Sequence, residues 1–543
     1  MASRIMQAWR AEAPAFAPLA LRRGTPVAVL LTLIGTLTGV LIGAAADTRL
    51  IDAARRVDAN AVRRLIEQGV DVNLPQADGA TALHWAAHRN DLAIADLLIR
   101  AGAKMDAADE GGVTPLGLAC LNASPAMVER LLKAGANPNA GRESAVLSAA
   151  RSGNVEVMKL LLAHGGDANA KEPARGQTAL MWAVAEKHAG VARVLLDHGA
   201  DVKAKTVPVR TAGPSRGGIS SLGGMGGGSN GANGYTPLLF AVRAGDLASV
   251  QLLTGAGANV NDTAADGLSA LVLATVRAHV DIAMFLLDHG ADANLAGAGY
   301  TALHWASGSW ETELTVTSIT PDREGEEWRT IAGLRERRID LVKALLAHGA
   351  DPNARVRRTP PRAGSSKNPG LPELVGATPF VIAAVGGAAD VMRVLADHGA
   401  DVRLTTSSKG TALMAAAGLG RAIGEVLVPE SDNLAAAKLL IELGAVDVNA
   451  VDTLGNSALH YAAFMRRDSI VQLLVDQGAR LEVQNLYGET PLFLAEVVIQ
   501  FAGGGRTETG PTSTGTLLRK LGAKPAKPAY TLRPHYWPNI PHV

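Results

Sequence analysis

From Asp78 to Ala107 the chain reads DGATALHWAAHRNDLAIADLLIRAGAKMDA, and a close copy of that line runs, with an interruption, from Tyr300 to Ala354. The copies keep register. Thr81 and Thr114 lie 33 residues apart, Thr236 and Ser269 again 33, and Ser269 and Thr301 32. Each unit carries an apolar stripe that it is too small to bury alone, so the units must stack and hide their stripes against one another. The length of 543 residues therefore counts units rather than separate globules.

Within a unit the residue types dictate helix, turn and helix. The opening Thr or Ser caps a first helix with its hydroxyl, and a following Pro suits the first turn. Leu and an Ala pair fit a narrow seam. The second segment, VARVLL or IAMFLL, repeats its apolar residues at helical spacing. Gly199, Gly290, Gly349 and Gly399 stop that helix, since glycine takes the left-handed conformation without strain. The Ala-Asp-x-Asn that follows turns the chain into the next unit.

The recurring residues are Thr81-Ala82-Leu83-His84, Thr114-Pro115-Leu116, Thr236-Pro237-Leu238, Thr301-Ala302-Leu303-His304, Thr378-Pro379-Phe380, Ser457-Ala458-Leu459-His460 and Thr490-Pro491-Leu492. In this register the chain resembles the ankyrin repeat family over about Asp47 to Ala523. The resemblance implies an all-α repeat solenoid of helix-turn-helix units with β-turn or hairpin tips; about twelve units can be counted, and the apolar run before them reads as an N-terminal helix. The first unit, around Leu50 to Asn73, lacks the Thr-Pro start, carries Arg55, Arg56, Arg63 and Arg64, and reads as a polar cap. The unit at Ser144-Ala145-Val146-Leu147 is degenerate. The last opens at Thr490 and closes with TLLRKLGAK, a C-terminal cap.

These boundaries divide the chain into an N-terminal segment 1–46, repeats 47–204, a Gly-rich insertion 205–232, repeats 233–354 interrupted at 311–337, a basic Pro-rich insertion 355–375, repeats and cap 376–523, and a Pro/aromatic tail 524–543. In segment 1–46 the apolar run 27–46 follows Arg22 and Arg23 and ends in Ala44-Ala45-Ala46. Two readings stand: a signal peptide cleaved after the alanines, or a retained transmembrane anchor, for which a run of about 20 residues suffices. Both keep the arginines inside and place the repeats outside the cytoplasm, periplasmic or anchored in the inner membrane. Gly35, Gly39 and Gly43 share one helical face, so a retained segment offers a dimerisation seam.

Further insertions fall inside units, at 420–433 and 500–514. The glycines of GGISSLGGMGGGSNGANG lack the Lys-Ser/Thr ending of a phosphate loop and read as linker. The run containing Arg355, Arg357, Arg358, Arg362 and Lys367 reads as a solvated loop, and ETELTVTSITPDREGEEWRT as a small hairpin. The tail, interrupted by prolines, either folds back over the last units or serves as a peptide for another domain.

Chemistry finds little room. Net charge is +1, and residues 1–46 hold Arg4, Arg10, Arg22 and Arg23 against Glu12, so the body is near neutral with no global field for gathering nucleic acid. The one cysteine, Cys120, excludes an intramolecular disulfide and a Cys-based zinc site. Of 13 histidines, His164, His198, His289, His348 and His398 precede the helix-ending Gly, where an imidazole suits the negative end of the dipole. His84, His304 and His460 occupy the T-x-L-H slot and His188 and His279 a slot between helices, which in the resembled family brace backbone. No HExxH or G-x-S-x-G occurs, and no cofactor, metal or catalytic residue is expected. Trp85, Trp182 and Trp305 occupy equivalent slots and read as core filling.

The resemblance implies binding of a protein partner along a concave strip of turn tips and first-helix ends. Carried over, the tips are Asp78, Glu110, Tyr235, Leu268, Tyr300 and Tyr487, and the helix ends His88, Arg89, Arg243, Arg277, Phe464 and Met465. Adjacent Phe464 and Met465 must meet a partner or be covered by the tail. The expectation is a non-catalytic, exported interaction scaffold of unknown oligomeric state, touching membrane only through 27–46 if retained. Two alternatives stay open: an enzyme with a site in the insertions or tail, and a membrane-anchored scaffold dimerised through Gly35, Gly39 and Gly43.

Overall fold

A computed structural model describes residues 47–207, 234–297, 299–308, 334–357, 374–419, 428–444, 446–499, 507–509 and 511–525. The signal or anchor segment with its glycine face, the glycine-rich run, the hairpin expected within 311–337 and the tail from 526 onward lie outside these residues. So do 358–373 and 420–427 of two other insertions.

The described chain forms twelve helix pairs. They are α1 Arg49–Arg55 with α2 Ala59–Glu67, α3 Ala82–Arg89 with α4 Leu92–Arg100, α5 Pro115–Leu121 with α6 Pro125–Lys133, and α7 Ala145–Ser152 with α8 Val155–Ala163. Next come α9 Ala179–Ala185 with α10 Ala189–Asp197, α11 Pro237–Ala244 with α12 Leu247–Gly255, α13 Ala270–Val276 with α14 Val280–Asp288, and α15 Ala302–Ser307 with α16 Leu334–Ala347. The last are α17 Pro379–Val385 with α18 Ala389–Asp397, α19 Ala412–Ala417 with α20 Glu430–Glu442, α21 Ala458–Phe464 with α22 Asp468–Asp476, and α23 Pro491–Glu496 with α24 Ser513–Lys520. First helices pack on the first helices of adjoining units, and second helices largely on second helices, giving two layers. The solenoid expected from the sequence is the one found. One hairpin was not foreseen: β1 Val497–Ile499 pairs antiparallel with β2 Thr507–Thr509 between α23 and α24, with Val498 opposite Glu508.

The capping logic is visible atom by atom. Thr114, Thr178, Thr236, Ser269, Thr378, Thr411 and Thr490 each accept from the backbone N–H three residues on, at 3.2–3.4 Å. Ser144 of the degenerate fourth unit makes no such bond. Its helix forms because Val146, Leu147, Ala149 and Ala150 are buried, and tertiary burial outweighs a missing cap. First helices are nearly engulfed. In α13, α17, α19 and α21 every residue is buried, and in α3 only His88 and Arg89 escape. Alanine permits this, because its methyl lets a helix approach neighbours on both sides.

An asparagine ladder, built from residues whose sequence pattern indicates only a turn, links the units. Asn169 donates from Nδ2 to Gly199 O at 3.0 Å while its Oδ1 accepts from Asp201 N at 2.7 Å. Asn73, Asn139, Asn261, Asn294, Asn353 and Asn449 repeat both bonds toward the following unit. Each therefore staples the exit of one second helix to the exit of the next. Lys203 and Arg403 occupy the slot where the pattern calls for Asn. We expect Lys203→Asn to raise stability by about 1 kcal/mol by pairing with Gly257 O and Asn259 N, and Asn261→Ala to lower it by about 1–2 kcal/mol, both measured by urea unfolding.

Candidate interaction surface

The stack consumes the polar side chains that first invite a catalytic reading. His84 sits wholly inside. Its Nδ1 accepts from Thr81 N at 3.0 Å and lies 2.9 Å from Thr81 Oγ1, and its Nε2 lies 3.1 Å from Val113 O of the next unit. His304 does the same with Thr301 and Ala354 O, and His460 with Ser457 and Glu489 O. An acceptor at Nδ1 and a carbonyl opposite Nε2 fix the neutral tautomer protonated at Nε2. Burial pushes all three imidazoles down, His304 and His460 to about 4.

The five helix-end histidines cap directly. Nδ1 of His164, His198, His289, His348 and His398 donates to the carbonyl four residues back, at 2.7–2.9 Å. His188 places Nε2 3.2 Å from Arg151 O and lies against Gly153, where a Cβ would come within 2.5 Å of its ring. His279 packs against Gly245 in the same way. These glycines are thus required both for their positive φ, 76° and 72°, and for the space the imidazole takes.

Cys120 is fully buried in α5, and desolvation pushes its thiol far above the usual range, so it behaves as a small apolar residue. Among the described residues no group of three or more His, Cys, Asp or Glu is placed to hold a metal ion.

Five of the twelve residues expected to meet a partner face inward. Tyr235 and Tyr300 are buried, each edge-on to the aromatic ring five residues on: Phe240 at 5.6 Å and Trp305 at 5.5 Å between centroids. The N-cap residues Thr236 and Thr301 are extended, and the ring just before each packs against an aromatic ring of the first helix. Leu268 is buried likewise. Phe464 and Met465 are buried at 5% and 6% exposure in a cluster with Leu494, with Phe493 against it. Phe464 ends a first helix, and the last unit covers that end, so neither a partner nor the tail is needed to do so. Gly418 leaves the space on the opposite side, where a Cβ would meet Met465 Cγ at 2.4 Å.

Arg89, Asp78 and Glu110 are exposed; Arg243, Arg277, Tyr487 and His88 are half-buried. Trp85 and Trp305 are buried core, as expected, while half-buried Trp182 carries the Arg151 guanidinium 4.0 Å above its ring. Arg151 is held there by Glu143, at 2.6 and 3.1 Å. Tips bond to tips: Glu110 N to Asp78 O at 2.8 Å, Val207 N to Arg175 O at 2.8 Å, Leu486 N to Leu454 O at 2.8 Å. Among the described residues, the row of tips and the row of first-helix exits leave polar side chains within reach of other molecules. The exit row was half-read in the sequence. The part missed was Lys187, which the spacing of His188 could have located.

Paired helices stacked in two layers, stapled at their exits and bonded tip to tip, define a repeat solenoid. Residues 50–142, 138–206, 238–316, 331–435 and 427–497 match the family described as Ankyrin repeats (3 copies), and 298–357 match the single ankyrin repeat. The chain belongs to the ankyrin repeat family.

Relatives include Neurogenic locus notch homolog protein 1 of Xenopus tropicalis, 37% identical over 32% of this chain and 6% of that protein. Human Ankyrin repeat and SOCS box protein 16 is 33% identical over 48% of this chain and 53% of its own length. The chain thus spans about half of one of these relatives and a small fraction of the other. The crystal structure of the human ASB11 ankyrin repeat domain is 30% identical, with a TM-score of 0.34, covering 41% of this chain and 89% of that one. Among the described residues no helix is long and apolar enough to cross a membrane.

Proposed function

We propose that this protein is a non-catalytic scaffold or regulator that binds another protein along its first-helix exits and turn tips. One observation carries the reading: ten of the histidines, the capping hydroxyls and the asparagine ladder are spent on holding the stack, while polar side chains at the first-helix exits and turn tips stay exposed in two rows among the described residues. Extended repeat surfaces suit partners that lie across several units.

Tagged full-length protein from its native host, chemically cross-linked and purified, is expected to retain a stoichiometric partner whose cross-links map to Arg89, Arg277 and Tyr487. Cross-links confined to second helices, or catalytic turnover that survives purification to homogeneity, would refute it. The apolar run 27–46 supports export, by cleavage or anchoring. N-terminal sequencing then gives Asp47 for a cleaved chain and Met1 or Met6 for an anchored one, and protease access to the repeats in intact spheroplasts tests the side of the membrane.

A further inference from the structure

After a helix-ending glycine the backbone retraces the unit before it, and two hydrogen bonds fix the register. The first is the ladder bond from the N–H two residues past the glycine. Lys104, Asp201, Asp351, Asp401 and Arg480 each donate it to the asparagine of the preceding unit at 2.7–2.9 Å. The second is the tip bond from the N–H eight residues past the same glycine. Glu110, Val207, Arg357, Ser407 and Leu486 each donate it to the preceding tip at 2.8–3.1 Å. In these five units the ladder bond is followed by the tip bond.

Helix α24 ends in the same way. Gly522 takes φ of +103°, and Lys524, two residues past it, donates its N–H to Glu482 Oε1 at 2.8 Å. Glu482 stands four residues past Gly478, the slot that Asn169 holds after Gly165. Its carboxylate supplies the same acceptor as the asparagine amide. The chain therefore leaves α24 in the register of a thirteenth turn. That register brings Tyr530, eight residues past Gly522, beside the tip at Leu486.

The prolines on the way fit this path. Pro525 is three residues past the glycine, the place of Pro352 in a unit that makes both bonds. Pro528 is six past it. The N–H groups of the equivalent Ala108, Arg355 and Gln484 make no hydrogen bond among the described residues, so a proline there forfeits none. The tip itself is unusual. Glu110, Arg357 and Ser407 are polar at this position, whereas Leu486 is 73% exposed, the most of any large apolar side chain among the described residues.

Independently of the interaction reading above, we propose that residues 525–531 dock along the last described unit as a terminal cap, with Tyr530 packed on Leu486. An aromatic ring against an aliphatic side chain is a favourable pair between neighbouring extended segments. Six positions separate Tyr530 from Lys524, so docking is intramolecular, at an effective concentration of about 1 mM or more. A second copy of the chain has to compete with that tethered segment, and a partner that uses the tip at Leu486 has first to displace it.

The test is limited chymotrypsin cleavage of the full chain, followed by mass spectrometry. Cuts after Tyr530 and after Tyr536 are timed, and a synthetic peptide of residues 523–540 gives the intrinsic ratio of the two rates. Cleavage follows the fraction of time a segment is open. In the full chain the cut after Tyr530 is expected to be at least about tenfold slower, relative to that after Tyr536, than in the peptide. Leu486→Asp alters an exposed tip and leaves the core untouched; it is expected to restore the peptide's ratio with an unaltered melting curve. The slowing is expected to be the same at about 1 and about 100 μM protein, as an intramolecular contact requires.

The same ratio in chain and peptide would overturn the proposal, and that comparison needs no variant to fold. So would slow cleavage that persists in Leu486→Asp, which would put the segment elsewhere. Slowing that grows with protein concentration would make a second copy the occupant and overturn it as well.

Discussion

Acidification from pH 7.5 to 4.5 is expected to weaken the stack by several kcal/mol without any ligand being lost. Unfolded, each T-x-L-H imidazole takes up a proton near pH 6.5; folded, His304 and His460 do so only near 4. Between those values the unfolded chain holds the extra proton, so acid favours unfolding. The contribution is complete above pH 6.5 and is lost as pH falls toward 4. A shift of this size corresponds to at most about 3 kcal/mol for each ring. His84 acts in the same direction.

The structural reason is that protonation adds a proton at Nδ1, which faces the N–H of the N-cap residue 3.0–3.1 Å away. The measurement is the urea midpoint against pH for the unaltered chain and for His304→Asn with His460→Asn. The double variant starts less stable but should lose clearly less between pH 7 and 4.5. Parallel curves would show that these rings do not govern the acid limit.

Phe464→Ala is expected to cost about 3–5 kcal/mol, the penalty for truncating a buried aromatic. A side chain waiting on the surface for a partner would cost less than about 0.5 kcal/mol. The two outcomes separate the buried position found here, against Leu494 and Phe493, from the exposed one that the repeat register implied. Because each unit of a stack touches only its neighbours, hydrogen exchange should accelerate in α21 to α24 and leave α3 to α10 protected.

Residue by residue, the fold was legible to the extent that it is local. Thr114-Pro115 announced a helix start and received its cap from Gly117 N. Gly199, Gly290, Gly349 and Gly399 announced helix ends and take φ of 80–86°. The helix-end histidines were placed by the dipole argument and bond the last carbonyls outright. The candidate surface was less legible. Tyr235 and Phe464 were assigned by register alone, and register does not say which neighbour covers a side chain. Asn169 and its equivalents were readable as a periodic Asp-x-Asn, yet their bonds reach residues 26 to 57 positions on, so their role as staples appears only once the units are stacked.

The sequence alone determined that the chain must be a solenoid of about twelve helix pairs, because a stripe too small to bury itself, repeated every 33 residues, has no other partner than its copies. The tertiary structure decided which surface is left. Each internal first helix is enclosed by two neighbours, so the tips Tyr235 and Tyr300 turn inward while Arg89 and Lys187 at the helix exits stay exposed. That partition depends on contacts between units, which the spacing within one unit does not contain.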